Sequence, residues 1–142
     1  MDEALLERLE RSTYVSTSAL THSRLKHFAA MAHTSEDHIS RVGLGLSIAH
    51  GPIADGFNGP AQQPHEPPVS VLNAKQIRGN TLLKQDGVLF LVMMAALDSP
   101  SSYDEWRALI VAHWERGVEL LTAHAGARSD WLHVMDDLVA SP

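Results

Sequence analysis

The chain has 142 residues, the length of one ordinary domain, and a chain of this size buries roughly two thirds of its unfolded surface on folding. Its composition, 44% hydrophobic and 20% charged, is typical of a soluble globular protein and excludes a disordered chain. There is no cysteine, which excludes disulfides, thiolate metal ligands and a cysteine nucleophile, and which is compatible with the reducing cytoplasm.

The net charge of -6 is unevenly distributed along the chain. Residues 1–84 carry eight acidic and eight basic side chains, whereas residues 85–142 carry nine acidic and three basic ones. Only the first part is therefore expected to face a polyanion such as DNA. The opening "MDEALLERLERS" lacks the basic start and unbroken apolar stretch of a secretory signal, so we expect a cytoplasmic location.

Helical spacing of apolar residues and capping signals predict three helices in the first 50 residues. The first covers 3–11 after a cap at Asp2, the second begins at Ser18 or Thr21, and the third begins at Thr34 or Ser35 and ends at Gly51 and Pro52. The β-branched and aromatic residues of "STYVSTS", residues 12–18, predict an extended segment between the first two.

Residues 51–73 predict a long loop, because they contain five prolines and three glycines. Neither flank holds enough apolar sequence for a second core, so we expect one helical domain over 1–142. A loop of this length in a small domain is either functional or mobile.

The sequence predicts four further elements after the loop. "KQIRGNTLL" is expected to be extended, Asp86 to cap an apolar helix over 87–97, and Ser102 with Glu105 to form a capping box for a helix that stops near Gly126. A last helix starts at Asp130. The predicted fold class is therefore all-α, a bundle of five or six helices with at most two short extended segments.

The helix "GVLFLVMMAAL" has almost no polar face, so it should be surrounded on all sides. It is about half as long as the ~20 residues of a membrane span, so no membrane is expected. We expect it to form either the core of the bundle or a homo-oligomer interface.

No pattern predicts catalysis, a metal or a cofactor. The nine histidines include no pair spaced three or four apart, as two ligands on one helix face require. No GxSxG nucleophile motif occurs, and the adjacent carboxylates Glu36 and Asp37 diverge on a helix instead of sharing a proton. We therefore expect neither catalytic residues nor a bound metal or cofactor.

The basic residues of the first part lie in a suggestive context. "SRLKHFAAMAHTSEDHISRVGLGLSIA" is typical of two helices joined by a short turn, as in a helix-turn-helix DNA reader. However, its second helix begins with Glu36 and Asp37, where a helix that reads bases presents donors. Sequence-specific readout is therefore not expected.

In their order along the chain, three segments resemble the DndE family of bacterial DNA phosphorothioation systems. They are "SRLKHFAAMAHTSEDHISRVGLGLSIAHG" (23–51), "IRGNTLLKQDGVLFLVMMAAL" (77–97) and "HWERGVELL" (113–121), and together they cover most of the chain. The resemblance implies a non-catalytic, all-α accessory protein, often oligomeric, that works with a sulfur-transfer enzyme and an SMC-like ATPase on the DNA backbone.

By the same resemblance, lysines and arginines are expected to contact DNA weakly, through its backbone. The matching positions in this chain are Arg24, Lys26, Arg41, Lys75, Arg78 and Lys84. The chain departs from the family pattern in its acidity and in its longer Pro-rich insertion before Lys75.

Three alternatives stay open on sequence grounds. Arg78 either grips phosphate oxygens or pairs with an acid of the C-terminal half, such as Glu115 or Glu119. The protein as a whole could be a helical protein–protein interaction module without nucleic-acid contact. A small-molecule-binding or hydrolytic enzyme that uses the histidines is the third reading.

Overall fold

The structure is a computed structural model that describes residues 3–53, 56–71, 73–126, 128 and 130–140. The predicted cap at Asp2 lies outside these residues. The helices are α1 (Glu3–Glu7), α2 (Ala19–Ala32), α3 (Glu36–His50), α4 (Gly79–Leu83), α5 (Gly87–Asp98), α6 (Tyr103–Ala125) and α7 (Trp131–Ala140). A π-helical turn (Arg8–Ser12) continues α1, a 3-10 turn (Lys84–Asp86) joins α4 to α5, and the strands are β1 (Tyr14–Ser16) and β2 (Gln76–Arg78). The predicted helical bundle is confirmed.

Three serines start the main helices as predicted. The hydroxyl oxygen of Ser18 accepts the backbone N–H of Thr21 at the start of α2. Ser35 and Ser102 do the same for α3 and α6. Each satisfies a backbone donor that the first turn of a helix leaves unpaired, which fixes where the helix begins.

The core lies around the pairing of α3 with α6, the most extensive contact between two elements. Trp114 and Leu121 of α6 are fully buried, as are Ile39 and Leu44 of α3. Helix α5 contributes Leu91 and Met94 to the same core, α2 contributes Leu25 and Phe28, and α7 contributes Val134.

Strands β1 and β2 form a two-stranded antiparallel ribbon, with Tyr14 opposite Arg78 and Ser16 opposite Gln76. The central Val15 is buried, whereas the four side chains of the two outer pairs are exposed. The predicted extended segment "KQIRGNTLL" is therefore a strand for three residues only, and it turns into α4 at Gly79. A Cβ at Gly79 would overlap the carbonyl oxygen of Leu9, so only glycine fits this close approach.

The Pro-rich segment, residues 51–53 and 56–71, crosses the surface of α2 and α6 and is called the strap below. The Glu66 carboxylate binds Arg24 of α2, and the backbone N–H of Ala61 donates to Glu119 of α6 at 2.6 Å. At its root, the backbone N–H of Ile53 donates to Asp98. The strap has no helix or strand among its described residues, but side chains of α2, α5 and α6 anchor it at several points.

The prediction that α5 is surrounded on all sides is wrong. Leu91 and Met94 face the core, but Val88, Leu89 and Val92 are more than half exposed. By length and composition, Gly79–Asp98 would pass as a membrane-crossing helix. However, Lys84 has a positive φ of 52°, and the 3-10 turn that begins there separates this stretch into α4 and α5. The exposed side of α5 is an apolar face that no described element covers.

Candidate nucleic-acid interface

Arg24, the first predicted DNA contact, is buried beneath the strap. Its side chain is 2% exposed, and its guanidinium pairs with Glu66 at 2.6 Å and Glu119 at 3.2 Å. It also donates to the carbonyl oxygen of Ala61. A guanidinium whose donors are taken up inside the protein holds the strap on α2 and has no surface for a phosphate.

Lys26 and Lys75 lie on either side of the N-terminus of α3. Both amines pair with Glu36, at 3.4 and 3.3 Å, and Lys75 also pairs with Asp37 at 3.3 Å. Burial raises the pKa of Glu36, but the charges and hydrogen bonds of the two lysines lower it by a larger amount. The pKa of Glu36 therefore lies below its usual value. These two lysines are therefore already neutralised by the acids at the start of α3.

Arg41 and Lys84 both lie near the C-terminal end of α4. The Arg41 guanidinium donates to the carbonyl oxygens of Thr81 and Leu82, at 3.3 and 3.4 Å, which satisfies the end of this short helix. Lys84 is exposed on the turn that follows. Neither cation has a carboxylate within ion-pair distance among the residues that the structure describes.

Arg78 lies on the outer face of the ribbon, against Tyr14. Its Nε donates to the Tyr14 hydroxyl at 2.7 Å, and its guanidinium carbon lies 5.1 Å from the centre of the Tyr14 ring. The predicted alternative partners are engaged elsewhere, since Glu115 accepts bonds from Ser18 and Thr21 and Glu119 binds Arg24. The pairing of Arg78 with either acid is therefore wrong.

Three arginines and two tyrosines form one continuous group, which we call the arginine–tyrosine cluster: Arg78, Tyr14, Arg107, Tyr103 and Arg8. The Arg107 guanidinium donates to the carbonyl oxygen of Tyr14 at 3.0 Å and lies 6.0 Å from the Tyr103 ring. Arg8 lies on that ring, 3.5 Å from its centre. A cation–π contact attracts a guanidinium to the face of a ring without neutralising its charge.

Sequence reasoning found Arg78 but missed the other four members of the cluster. These four lie in two segments, 8–14 and 103–107. A hydrogen bond of 2.7 Å between the Thr13 and Tyr103 hydroxyls, 90 residues apart, joins the two segments. The alternation of Tyr14, Val15 and Ser16 was the one available signal, because alternation in a strand separates an exposed from a buried face.

The charges of the described residues single out this cluster. Six of the eleven basic side chains are paired with a carboxylate or buried. The other five, which have no carboxylate of the described residues within ion-pair distance, are Arg8, Arg41, Arg78, Lys84 and Arg107. Three of these five, Arg8, Arg78 and Arg107, belong to the cluster. A net-negative protein thus keeps a local group of uncompensated positive charge at the ribbon.

An open groove of about 520 Å³ runs beside the ribbon. Ser16 and Arg107 form the side next to the cluster, and Phe57 of the strap supplies an aromatic ring. Asp104 and Glu115 also line it. The groove therefore combines apolar surface and hydrogen-bond acceptors next to exposed arginines.

A second polar group, buried between α3 and α6, resembles a catalytic triad in composition only. Ser47 Oγ lies 2.8 Å from His113 Nδ1, and His113 Nε2 lies 3.2 Å from Asp98. Ser47 and His113 are both 0% exposed, and Arg116 donates to Ser47 Oγ at 2.9 Å. Burial lowers the pKa of His113 more than its hydrogen bond to Asp98 raises it. No substrate can reach the serine hydroxyl, so the group ties α3, α5 and α6 together.

No group of three or more histidine, aspartate or glutamate side chains within the described ranges is placed to hold a metal ion. Comparisons of the chain with protein-family models, with curated proteins and with solved structures find no match.

Proposed function

We propose that this protein is a non-catalytic accessory subunit of a bacterial DNA phosphorothioation complex, or of a related DNA-defence complex, and that it contacts DNA without reading its sequence. The observation that carries the DNA contact is the arginine–tyrosine cluster, in which three exposed arginines lack an acidic partner among the described residues. Phosphate oxygens are natural acceptors for such guanidinium groups.

Contact with the backbone fits the arrangement better than readout of bases by α3. The first turn of α3 carries Glu36 and Asp37, and these acids face Lys75. A helix that enters the major groove presents donors or neutral amides at its first turn, because most base edges and all phosphates accept hydrogen bonds. Acids at this position oppose insertion of α3.

A non-catalytic role is supported by the sealed surroundings of Ser47 and His113, the one serine–histidine–aspartate group in the described residues. The resemblance to the DndE family adds the expected partners, a sulfur-transfer enzyme and an SMC-like ATPase. Copurification of the tagged protein with these two subunits, when the neighbouring genes are expressed together, tests that part of the proposal. Their absence from the purified material would count against it.

The DNA contact is tested by fluorescence anisotropy with labelled DNA of mixed sequence at several salt concentrations. Each phosphate contact on a duplex contributes about -0.9 to the logarithmic salt slope, so contacts by all five uncompensated cations give about -4 to -5. We expect Arg78→Gln and Arg107→Gln each to weaken binding and to reduce the slope by about one.

The matched control is Arg128→Gln, which removes the same charge from an exposed arginine paired with Asp137. It should leave the affinity unchanged within about twofold, because Arg128 is outside the cluster and Asp137 already compensates its charge. Equal losses in all three variants would show a general charge effect and contradict a defined site. Absence of binding to any DNA at low salt would overturn the DNA contact.

A second candidate function is a helical interaction module that never meets nucleic acid. The apolar face of α5 favours it, because Val88, Leu89, Val92 and Met93 are exposed side by side. Exposed apolar patches on soluble proteins mark contact sites for other proteins. The anisotropy experiment separates the two functions, since this module has no reason to bind DNA.

A further inference from the structure

We infer that the arginine–tyrosine cluster and its adjoining groove take a single strand of nucleic acid, with unpaired bases against the aromatic rings, in preference to an intact duplex. The inference rests on the proposed function, since it assumes that the protein binds DNA, and it adds which form of DNA the site selects. It depends on three features of the ribbon surface: ring exposure, charge distribution and groove chemistry.

The first feature is the exposed ring of Tyr14, which is 43% accessible on the outer face of the ribbon. Sites for single strands combine cationic groups along the backbone path with aromatic rings on which bases stack. In this protein, Arg78 donates to the Tyr14 hydroxyl and Arg107 donates to the Tyr14 backbone carbonyl, so two guanidinium groups lie next to this exposed residue. Bases in an intact duplex are stacked on each other and cannot use such a ring.

Charge distribution is the second feature. The three uncompensated arginines form the cluster, while Asp104 and Glu115 line the adjoining groove, which Arg107 borders. A duplex presents two phosphate backbones, and the second one would lie near these carboxylates in a protein of net charge -6. A single strand places its phosphates on the arginine side alone.

The third feature is the chemistry of the groove, whose volume of about 520 Å³ exceeds that of a few water molecules. Phe57 supplies a second ring, and the Asp104 carboxylate is an acceptor for the exocyclic amino groups of bases. Bases turned into this groove are neutral and donate hydrogen bonds, so the carboxylates that repel phosphate suit them. A strand laid along the ribbon therefore has separate places for its phosphates and its bases.

The test compares a labelled single-stranded oligonucleotide of about 20 nucleotides with a blunt duplex of the same sequence, in anisotropy titrations at one low salt concentration. We expect tighter binding of the single strand. Tyr14→Ala should weaken that binding about tenfold, within the range measured for loss of one base–aromatic stack.

Tyr14→Phe is the matched control, because it keeps the ring and removes only the hydroxyl that accepts from Arg78. It should stay within about threefold of the unchanged protein. Circular dichroism of both variants checks that the fold is intact. We expect an intact fold, because the Tyr14 side chain is exposed. Equal losses for Tyr14→Ala and Tyr14→Phe would exclude stacking on the ring.

The possible outcomes separate the two proposals. Duplex binding as tight as or tighter than single-strand binding would overturn the preference and leave the DNA contact standing. Binding of neither form would overturn the DNA contact itself. Single-strand binding that depends on the Tyr14 ring would support both.

Discussion

Gly43 of α3 and Gly117 of α6 lie backbone to backbone where the two helices cross. A Cβ on Gly117 would overlap the carbonyl oxygen of Gly43, and a Cβ on Gly43 would come within 3.1 Å of the backbone nitrogen of Val118. The absence of a side chain at both positions therefore lets α3 and α6 approach closely.

Gly117→Ala should therefore destabilise the protein, because the helices must move apart at the centre of the core. Overpacking of this kind costs about 1 to 3 kcal/mol or more, which exceeds the gain of up to about 1 kcal/mol from alanine's helix propensity. Gly45→Ala is the control, since nothing lies near its Cβ position and the same propensity gain should stabilise the protein. Urea unfolding of both variants measures the difference, and stabilisation by Gly117→Ala would contradict the close crossing.

Replacement of Arg24 should be among the most destabilising changes in the chain. Arg24→Ala leaves the buried Glu66 carboxylate without its cation, and loss of one partner of a buried ion pair costs about 3 to 5 kcal/mol. The strap should also become sensitive to proteolysis, because Arg24 holds it through both Glu66 and the carbonyl of Ala61. Limited proteolysis with mass spectrometry would locate the cuts, and an unchanged strap would show that its other anchors suffice.

Because His113 is buried, we expect the protein to lose stability in mildly acidic solution. Burial lowers its pKa below the ordinary value of 6.5, so the unfolded chain binds a proton more readily than the folded protein. The free energy of unfolding should therefore be highest above about pH 6.5 and fall as the pH drops below it. Asp98 and Arg116 are the two charged groups that face His113. They favour the tautomer of the neutral imidazole whose Nε2–H donates to Asp98 and whose Nδ1 accepts from the Ser47 hydroxyl.

The measurement is the urea midpoint at pH 7.5 and pH 5.5, for the unchanged protein and for His113→Gln. The drop between the two pH values should be smaller in the variant. The pKa values of Glu36 and Glu66 are lowered from 4.5, so their contributions are lost only at more acidic pH and do not enter this comparison. An identical drop in both proteins would mean that other groups cause it.

The apolar face of α5 keeps the homo-oligomer prediction open and makes it testable. Met93→Asp changes an exposed side chain and should leave the fold intact, while the mass by light scattering falls if copies meet at this face. Leu91→Asp is the control on the same helix, because Leu91 is fully buried and its replacement should prevent folding. A protein that is monomeric before and after Met93→Asp would rule out a homo-oligomer at α5.

Local signals in the sequence were sufficient for the main helices. Ser18, Ser35 and Ser102 each accept a backbone N–H of their own first turn, a contact that involves residues three apart. Such contacts are visible in a sequence because both partners lie within one turn. The same holds for the strand over Tyr14–Ser16, whose side chains alternate.

The candidate site could not be predicted from contacts between residues that are close in sequence. Arg24 has the sequence context of a surface cation, and nothing near it predicts that Glu66 and Glu119, 42 and 95 residues away, surround it. The half-exposure of α5 was missed for a similar reason, because an apolar composition states a preference for burial and does not state how many neighbours the fold provides. Arg78 was found, but its ring partner became visible only when the strands were paired.

The strand pairing has a consequence for how the protein is made. Tyr14 and Arg78 are 64 residues apart, and α2, α3 and the strap lie between them. Three residues per strand form too small a ribbon to be stable alone, and long-range pairings form late because closing the chain costs entropy. During synthesis, β1 leaves the ribosome long before β2 does. The arginine–tyrosine cluster therefore assembles only in the completed domain, and an unfinished chain lacks this surface.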